Sequence, residues 1–142
     1  MVSRIIVGVD GSETAAAAAR KAAGLAAATG AELDVAVAYG KLEVERIDAG
    51  GDEFFFSNEN EAQTLATEVA RTLRGEFDGL TVNPRAIGGK PADALVDAAR
   101  DHGADLIVVG NKRVQGLARV LGSIAADVAR HADCDVYIAH TH

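Results

Sequence analysis

The 142-residue chain has little of several residue types that mark particular classes of protein. It has no tryptophan, one cysteine and two prolines, and aromatic residues make up 4% of it. The single cysteine, Cys134, excludes an internal disulfide and is interpreted as a small apolar residue rather than a redox centre. No apolar run approaches the ~20 residues that a membrane-spanning helix needs, so no membrane insertion is predicted.

Positive charge is also scarce. The chain has 14 lysines and arginines against 21 acidic residues, a net charge of −7. This net negative charge argues against nucleic acid as the main partner. A site for an anion in such a chain needs a local group of cations. Residues 1–7 enter a strand-like run without the apolar region and cleavage site of a signal peptide, so a cytoplasmic location is expected.

Apolar runs and amphipathic segments alternate along the chain. Four nearly continuous apolar runs predict strands that are covered on both faces, at residues 5–9, 33–39, 106–109 and 136–139. A weaker run at 81–87 contains Pro84, which suits an edge strand. The helices predicted between these runs begin near Ser12, Glu59, Pro91 and Ser123, with Ser12 and Ser123 as caps and Gly30 ending the first. The order predicts one α/β domain over residues 1–142, a doubly wound parallel sheet with helices on both faces.

Residues 40–58 interrupt this alternation and contain the triplet Phe54, Phe55 and Phe56. The segment is long for a connection inside a compact domain and is interpreted as a mobile surface excursion. The triplet could contact another subunit, form a lid or fold back over the sheet edge, and the sequence leaves these alternatives open.

The first candidate site is the end of the first strand. In an open parallel sheet, ligands bind beyond the carboxyl ends of the strands, where the winding reverses. Asp10 follows the first strand directly. It could accept hydrogen bonds from a ribose or a base amine, or it could be a turn or helix-cap carboxylate.

The second candidate site is the loop from Gly110 to Ser123, which contains Gly116 and Gly122 and leads into a helix. Glycines let a phosphate approach the backbone, and a helix N-terminus offers free N–H groups to an anion. Three cations fall within eight residues of this loop: Lys112, Arg113 and Arg119. A flexible loop with solvated charges explains the same residues equally well.

Several familiar chemistries are absent from the sequence. It contains no G-x-x-x-x-G-K-[ST] loop, no G-x-G-x-x-G after the first strand and no nucleophile elbow. Its histidines show no metal-ligand spacing with acids or with Cys134. No catalytic residue and no metal site are therefore predicted.

Several segments in register resemble the universal stress protein family over essentially the whole chain. They are IIVGVDGSE at 5–13, GKPADAL at 89–95, ADLIVVGN at 104–111, VLGSIAADV at 120–128 and CDVYI at 134–138. The resemblance implies a five-stranded parallel sheet in the order 3-2-1-4-5, so that Asp10 and Gly110 flank one crevice. It also implies a stress-response homodimer, paired through the last strand from about Asp135 to His140. Such a protein acts through an unidentified protein partner rather than through catalysis.

The resemblance further implies a bound adenine nucleotide: ATP, with Mg²⁺ as its companion ion, or AMP or cyclic AMP. By position, the residues on the adenosine side are Gly8, Val9, Asp10 and Ala38. Those around the phosphates are Gly110, Arg113, Gly122, Ser123 and Ile124. Val109 and Asn111 are further predicted nucleotide-binding residues.

Two positions depart from the family's ATP-binding pattern of a glycine, two residues, a second glycine, a spacer, and glycine with serine or threonine. Arg113 replaces the second glycine, and Ala125 stands where a hydroxyl residue often follows. The Arg113 side chain could crowd the phosphates or contact them. Two alternatives therefore stay open beside nucleotide binding: an interaction module that has lost it, and a slow ATPase.

Overall fold

The computed structural model describes residues 2–40, 58–111 and 122–140. Within these ranges, five strands and four helices alternate along the chain. The strands are β1 (Arg4–Val9), β2 (Glu32–Tyr39), β3 (Val82–Gly88), β4 (Leu106–Gly110) and β5 (Asp135–Ala139). The helices are α1 (Glu13–Thr29), α2 (Glu59–Glu76), α3 (Pro91–His102) and α4 (Ser123–His131). The phenylalanine triplet at 54–56 lies outside the described residues, and so does the loop segment 112–121 with its three cations.

The strands form one sheet in the order β3-β2-β1-β4-β5, and every neighbouring pair is parallel. The predicted fold class and strand order are therefore confirmed. The predicted edge position of the Pro84 strand is confirmed as well, since β3 pairs only with β2 among the described strands. A proline lacks an N–H group and is tolerated at an edge because that group has no partner to lose there.

Alternate residues of the strands contribute to two separate cores. Ile5, Val7 and Leu33 pack with α1 and α2 on one face of the sheet. Ile6 and Ile107 pack with α3 and α4 on the other face. All five side chains have no exposed surface, and burying a side chain of this size stabilises a fold by about 1.5–3 kcal/mol. Burial on both faces explains why the apolar runs of β1, β2 and β4 are continuous rather than alternating. The same prediction is wrong for β5, because this strand lies at the edge of the sheet and Tyr137 on it has 39% of its surface exposed.

The helix ends follow the predicted signals, with one exception. The Ser12 Oγ accepts a hydrogen bond from the Ala15 N–H at 3.2 Å, and Gly30 ends α1 in a left-handed conformation. Pro91 begins α3. The prediction that Ser123 caps the last helix is wrong, because Ser123 is already the first helical residue and Gly122 is the extended residue before it.

A buried ion-pair cluster lies at the amino ends of the strands. Asp34 on β2 has no exposed surface. Its Oδ1 lies 2.8 Å from an Arg4 guanidinium nitrogen and accepts a hydrogen bond from Asn83 at 2.9 Å. Its Oδ2 lies 3.0 Å from the Arg85 Nε. Two arginines thus neutralise one buried carboxylate, at the opposite end of the sheet from the predicted site.

Cys134 precedes β5 and packs at the margin of the α3–α4 core, where it is partly buried. Burial raises the pKa of its thiol, and the nearby carboxylates of Asp135 and Asp133 raise it further. A raised thiol pKa disfavours the reactive thiolate. This environment suits a packing role for the side chain, as its sequence context indicates.

Candidate functional site

A cavity of about 680 Å³, open to solvent, lies at the carboxyl ends of β1 and β4. These two strands are neighbours in the sheet although they are far apart in the sequence, so the winding of the chain reverses between them. This switch point is the place where open α/β sheets bind ligands.

Nine of the eleven predicted site residues line this cavity. They are Gly8, Val9, Asp10, Ala38, Val109, Gly110, Gly122, Ser123 and Ile124. Asn111 is not among the lining residues, and Arg113 lies outside the described part of the chain. The structure therefore brings the two candidate sites together into one, and the binding role of each residue stays a prediction.

Two of the glycines in the cavity wall lie in close contact with helices of the protein itself. A Cβ placed on Gly8 would lie 3.0 Å from a methyl carbon of Leu95 on α3. A Cβ placed on Gly110 would lie 2.8 Å from the Thr14 Cγ2 and 3.1 Å from the Thr14 carbonyl oxygen. Each glycine lets a helix approach the sheet closely, so neither is by itself a sign of a ligand.

Asp10 makes the turn contact that its sequence position allows, and it also lies in the cavity wall. Its Oδ1 accepts a hydrogen bond from the Ser12 N–H at 2.9 Å, which is the turn geometry expected of an aspartate before a helix. Its half-buried carboxylate also forms part of the cavity wall. A carboxylate held in place by its own turn presents acceptor atoms to a ligand with hydroxyl or amine donors.

The N-terminus of α4 forms another part of the wall, through residues Gly122 to Ala125. Its first turn contains no acidic residue, and no side chain of its own caps it. The Gly122 N–H donates instead to the Asn111 Oδ1, at 3.0 Å. The next three N–H groups have no acceptor within the helix, as in any α-helix, and carry the positive end of its dipole.

The sequence-based prediction missed eight lining residues: Ser12, Thr14, Ala15, Ala36, Ile87, Pro91, Leu95 and Ala125. Ser12, Thr14 and Ala15 come from the start of α1, and a strand that feeds a helix at a switch point is a signal that could have identified them. Pro91 and Leu95 belong to the segment GKPADAL, which the family resemblance already contains. Ile87 could be found only from the structure, because it reaches the cavity from the edge strand β3.

The apolar part of the wall consists of small and aliphatic side chains. Ala36 and Ala38 lie on β2, Ile87 on β3 and Leu95 on α3. The wall thus combines an apolar surface with the Asp10 carboxylate and a helix N-terminus. This combination can hold a ligand with a flat apolar ring, hydroxyl groups and an anionic group.

The described residues contain no group of three or more metal-ligating side chains, and none of the described helices has the length and apolar composition needed to cross a bilayer.

Comparisons with known proteins agree with this architecture. The family model described as "Universal stress protein family" matches residues 1–140. A universal stress protein of Mycobacterium tuberculosis is 36% identical over 140 residues, which cover 96% of this chain and 95% of the relative. A universal stress protein of Thermus aquaticus is 35% identical over 143 residues, covering 97% and 98% of the two chains.

Solved structures are similar over the same length. A universal stress protein in complex with cyclic AMP has a TM-score of 0.77 and 32% identity, and the match covers 99% of this chain and 98% of that one. A universal stress protein of Archaeoglobus fulgidus in complex with dAMP has a TM-score of 0.68 and 26% identity, with 97% and 98% covered. The chain therefore belongs to the universal stress protein family.

Proposed function

We propose that this protein binds an adenine nucleotide in the cavity between β1 and β4. The observation that carries the proposal is the convergence, at one switch point, of an apolar wall, the Asp10 carboxylate and the N-terminus of α4. Two similar proteins, solved with cyclic AMP and with dAMP, support the adenine base as the common part of the ligand.

In this proposal the parts of the nucleotide match the parts of the wall. The flat base packs against the apolar side chains at the ends of β2 and β3, where Ala38 and Ile87 lie. The ribose hydroxyls donate to Asp10, since a carboxylate only accepts hydrogen bonds. The phosphate meets the N–H groups of the first turn of α4, which have no acceptor within the helix. This turn contains no acidic side chain that would repel it.

The number of phosphates is a second part of the proposal. The two similar proteins solved with cyclic AMP and with dAMP hold nucleotides with one phosphate each. ATP with Mg²⁺, expected from the family resemblance, stays a prediction. The three ligands ATP, AMP and cyclic AMP are therefore compared directly in the test.

Isothermal titration calorimetry of the purified chain with AMP, cyclic AMP, ATP and GMP tests the proposal. We expect heat of binding with at least one adenine nucleotide, a raised melting temperature and weaker binding of GMP. The absence of heat and of thermal stabilisation with all three adenine nucleotides would refute nucleotide binding. Native mass spectrometry of the purified chain adds an independent reading, because a copurified nucleotide is seen directly as extra mass.

A non-enzymatic role is proposed for the bound nucleotide: it changes the contacts of this cytoplasmic stress-response protein with another protein. A slow ATPase is the competing proposal. Turnover of ATP above that of a variant in which residues 112–121 are deleted would favour the ATPase and contradict the regulatory role.

A second candidate function is an interaction module that has lost nucleotide binding. Ala125 favours it, because this residue lines the cavity without a hydroxyl and has only 1% of its surface exposed. Arg113, at the position of a family glycine, favours it as well. Tight binding of any adenine nucleotide by the unmodified chain would exclude this alternative.

We also propose a homodimer that forms through β5. This strand lies at the edge of the sheet, and Tyr137 on it is the exposed large apolar side chain among the described residues, with 39% of its surface accessible. An edge strand presents unpaired backbone groups to a second copy. The molar mass of Tyr137→Lys, measured by light scattering, should shift toward that of a monomer. An unchanged dimer mass would mean that the interface lies elsewhere.

A further inference from the structure

Asn111 links three elements of the fold directly beside the cavity. It follows β4 and has 8% of its surface exposed. Its N–H donates to the carbonyl oxygen of Ala139, the last residue of β5, at 3.2 Å. Its side-chain Oδ1 accepts the buried hydrogen bond from the Gly122 N–H at 3.0 Å, across 11 positions of sequence. One buried residue thus ties the ends of β4 and β5 to the beginning of α4.

The hydrogen bond from Gly122 takes the place of a helix cap. Gly122 is the N-cap residue of α4 and has no side chain that could accept a hydrogen bond from its own first turn. An N-cap side chain would occupy an N–H of the first turn, at the second or third helical position. Asn111 instead accepts the N–H of Gly122 itself, one residue before the helix. This bond holds the start of α4 in place and leaves the N–H groups of Ser123, Ile124 and Ala125 without an acceptor from within the helix.

We propose that Asn111 is a positioning residue that aims the N-terminus of α4 at the ligand's phosphate without contacting the ligand. The proposal rests on the proposed nucleotide binding and gives Asn111 a different role from the direct contact expected from sequence. It agrees with the composition of the cavity wall. The wall includes Gly110, which precedes Asn111, and Gly122, its hydrogen-bond partner, but not Asn111 itself.

Adenosine and AMP distinguish positioning from a general loss of structure, because they differ only in the phosphate. Replacement of Asn111 by alanine (Asn111→Ala) should weaken AMP binding about tenfold, the loss expected when the displaced N-terminus of α4 makes one hydrogen bond fewer to the phosphate. It should leave adenosine binding within about twofold of that of the unmodified chain. Equal weakening of AMP and adenosine would overturn the proposal, since it would indicate a generally disturbed cavity rather than a loss of phosphate binding.

Asn83→Ala is the matched control. Asn83 also forms a side-chain hydrogen bond at a partly buried site, in this case as the donor to Asp34 at 2.9 Å, but it lies at the amino end of the sheet. Its loss should lower stability and leave the ratio of AMP to adenosine affinity unchanged. A changed ratio of AMP to adenosine affinity in Asn83→Ala would show that a loss of stability alone weakens phosphate binding. This result would overturn the proposed positioning role of Asn111.

Amide hydrogen exchange tests the hydrogen bond without a variant and without a ligand. In the unmodified chain, the Gly122 amide should exchange slowly and the Ser123 amide quickly, and AMP should slow exchange at Ser123, Ile124 and Ala125. Asn111→Asp retains the acceptor oxygen and should preserve slow exchange at Gly122, whereas Asn111→Ala should lose it. Fast exchange at Gly122 in the unmodified chain would overturn the proposal. If the unmodified chain binds neither AMP nor adenosine, the proposed function is refuted. The exchange rate of the Gly122 amide then still shows whether the hydrogen bond to Asn111 is present.

Discussion

Gly110 at the end of β4 lies so close to Thr14 in the first turn of α1 that a Cβ on residue 110 would be 2.8 Å from the Thr14 Cγ2. The Thr14 carbonyl oxygen would lie 3.1 Å from the same atom. Because part of this contact is backbone, a side-chain rotation cannot relieve it. The glycine that opens the predicted phosphate loop is therefore also the residue that lets α1 pack against β4.

Replacement of Gly110 by alanine is expected to lower the free energy of unfolding by about 1–3 kcal/mol, the usual cost of overpacking. Urea denaturation measures the change. Gly24→Ala is the control, since Gly24 lies inside α1 and a Cβ there would meet nothing within 4 Å. This control should stabilise the protein by about 0.5–1 kcal/mol, because alanine loses less backbone entropy in a helix. Equal stability of the two variants would contradict the packing assignment.

Replacement of Asp34 by asparagine is expected to destabilise the fold by about 3–5 kcal/mol, because it leaves the Arg4 and Arg85 charges without their buried partner. Asp127→Asn removes the acceptor of an exposed pair, whose Arg130 nitrogen lies at 2.9 Å, and should change stability by less than ~1 kcal/mol. Thermal and urea unfolding of both variants provide the comparison. A loss in Asp34→Asn as small as that of the surface variant would show that the cluster is solvated.

Replacement of Ala38 by leucine tests where the ligand binds. Ala38 lines the cavity and has 7% of its surface exposed, so a longer side chain must extend into the space proposed for the base. We expect AMP affinity to fall at least about tenfold, a loss of ~1.4 kcal/mol of binding free energy. Ala16→Leu, at an exposed position of α1, should bind AMP like the unmodified chain. If calorimetry finds full affinity in Ala38→Leu, the nucleotide binds elsewhere.

Asp105 makes the stability of the chain's beginning depend on pH. Its Oδ2 accepts hydrogen bonds from the N–H groups of Ser3 at 2.7 Å and Arg4 at 3.0 Å, and from the Ser3 hydroxyl at 3.0 Å. The backbone N–H groups of Ser3 and then Arg4 are the main cause that lowers the pKa of the Asp105 carboxyl. A lowered pKa in the folded state means that this stabilisation is complete above the ordinary aspartate pKa of about 3.9 and is lost as the pH falls through the folded value.

Asp105→Asn should therefore be less stable than the unmodified chain at pH 7, and the difference should shrink as the pH falls below about 4. Unfolding free energies at several pH values between these limits provide the measurement. A difference that stays constant with pH would show that the carboxylate charge makes no contribution.

Much of the fold could be predicted because its signals are local. The strand runs, the Ser12 cap and the Gly30 end all depend on residues within a few positions of one another, and each was confirmed. The beginning of α4 was predicted less well. Ser123 has the chemistry of a cap, but a partner 11 positions away fixes Gly122 as the residue before the helix. Local propensity carries no information about such a partner.

The candidate site could be predicted in outline, because a switch point brings Asp10 and Gly110 together once the strand order is known. The complete set of residues that line the cavity could not be predicted, since Thr14, Ile87 and Leu95 reach it from three different elements. The role of Asn111 was also hidden, because its side-chain acceptor, its backbone donor and their partners lie on separate segments of the chain.

The sequence by itself determined the class of fold, the alternation of its elements and the family, since these depend on periodicity and on short motifs in register. Only the tertiary structure decided why residue 110 is a glycine, which arginines neutralise Asp34, and which residue holds the start of α4. Each of these depends on the distance between atoms far apart in the chain. Such distances are set when the helices pack against the sheet, and local preference does not contain them.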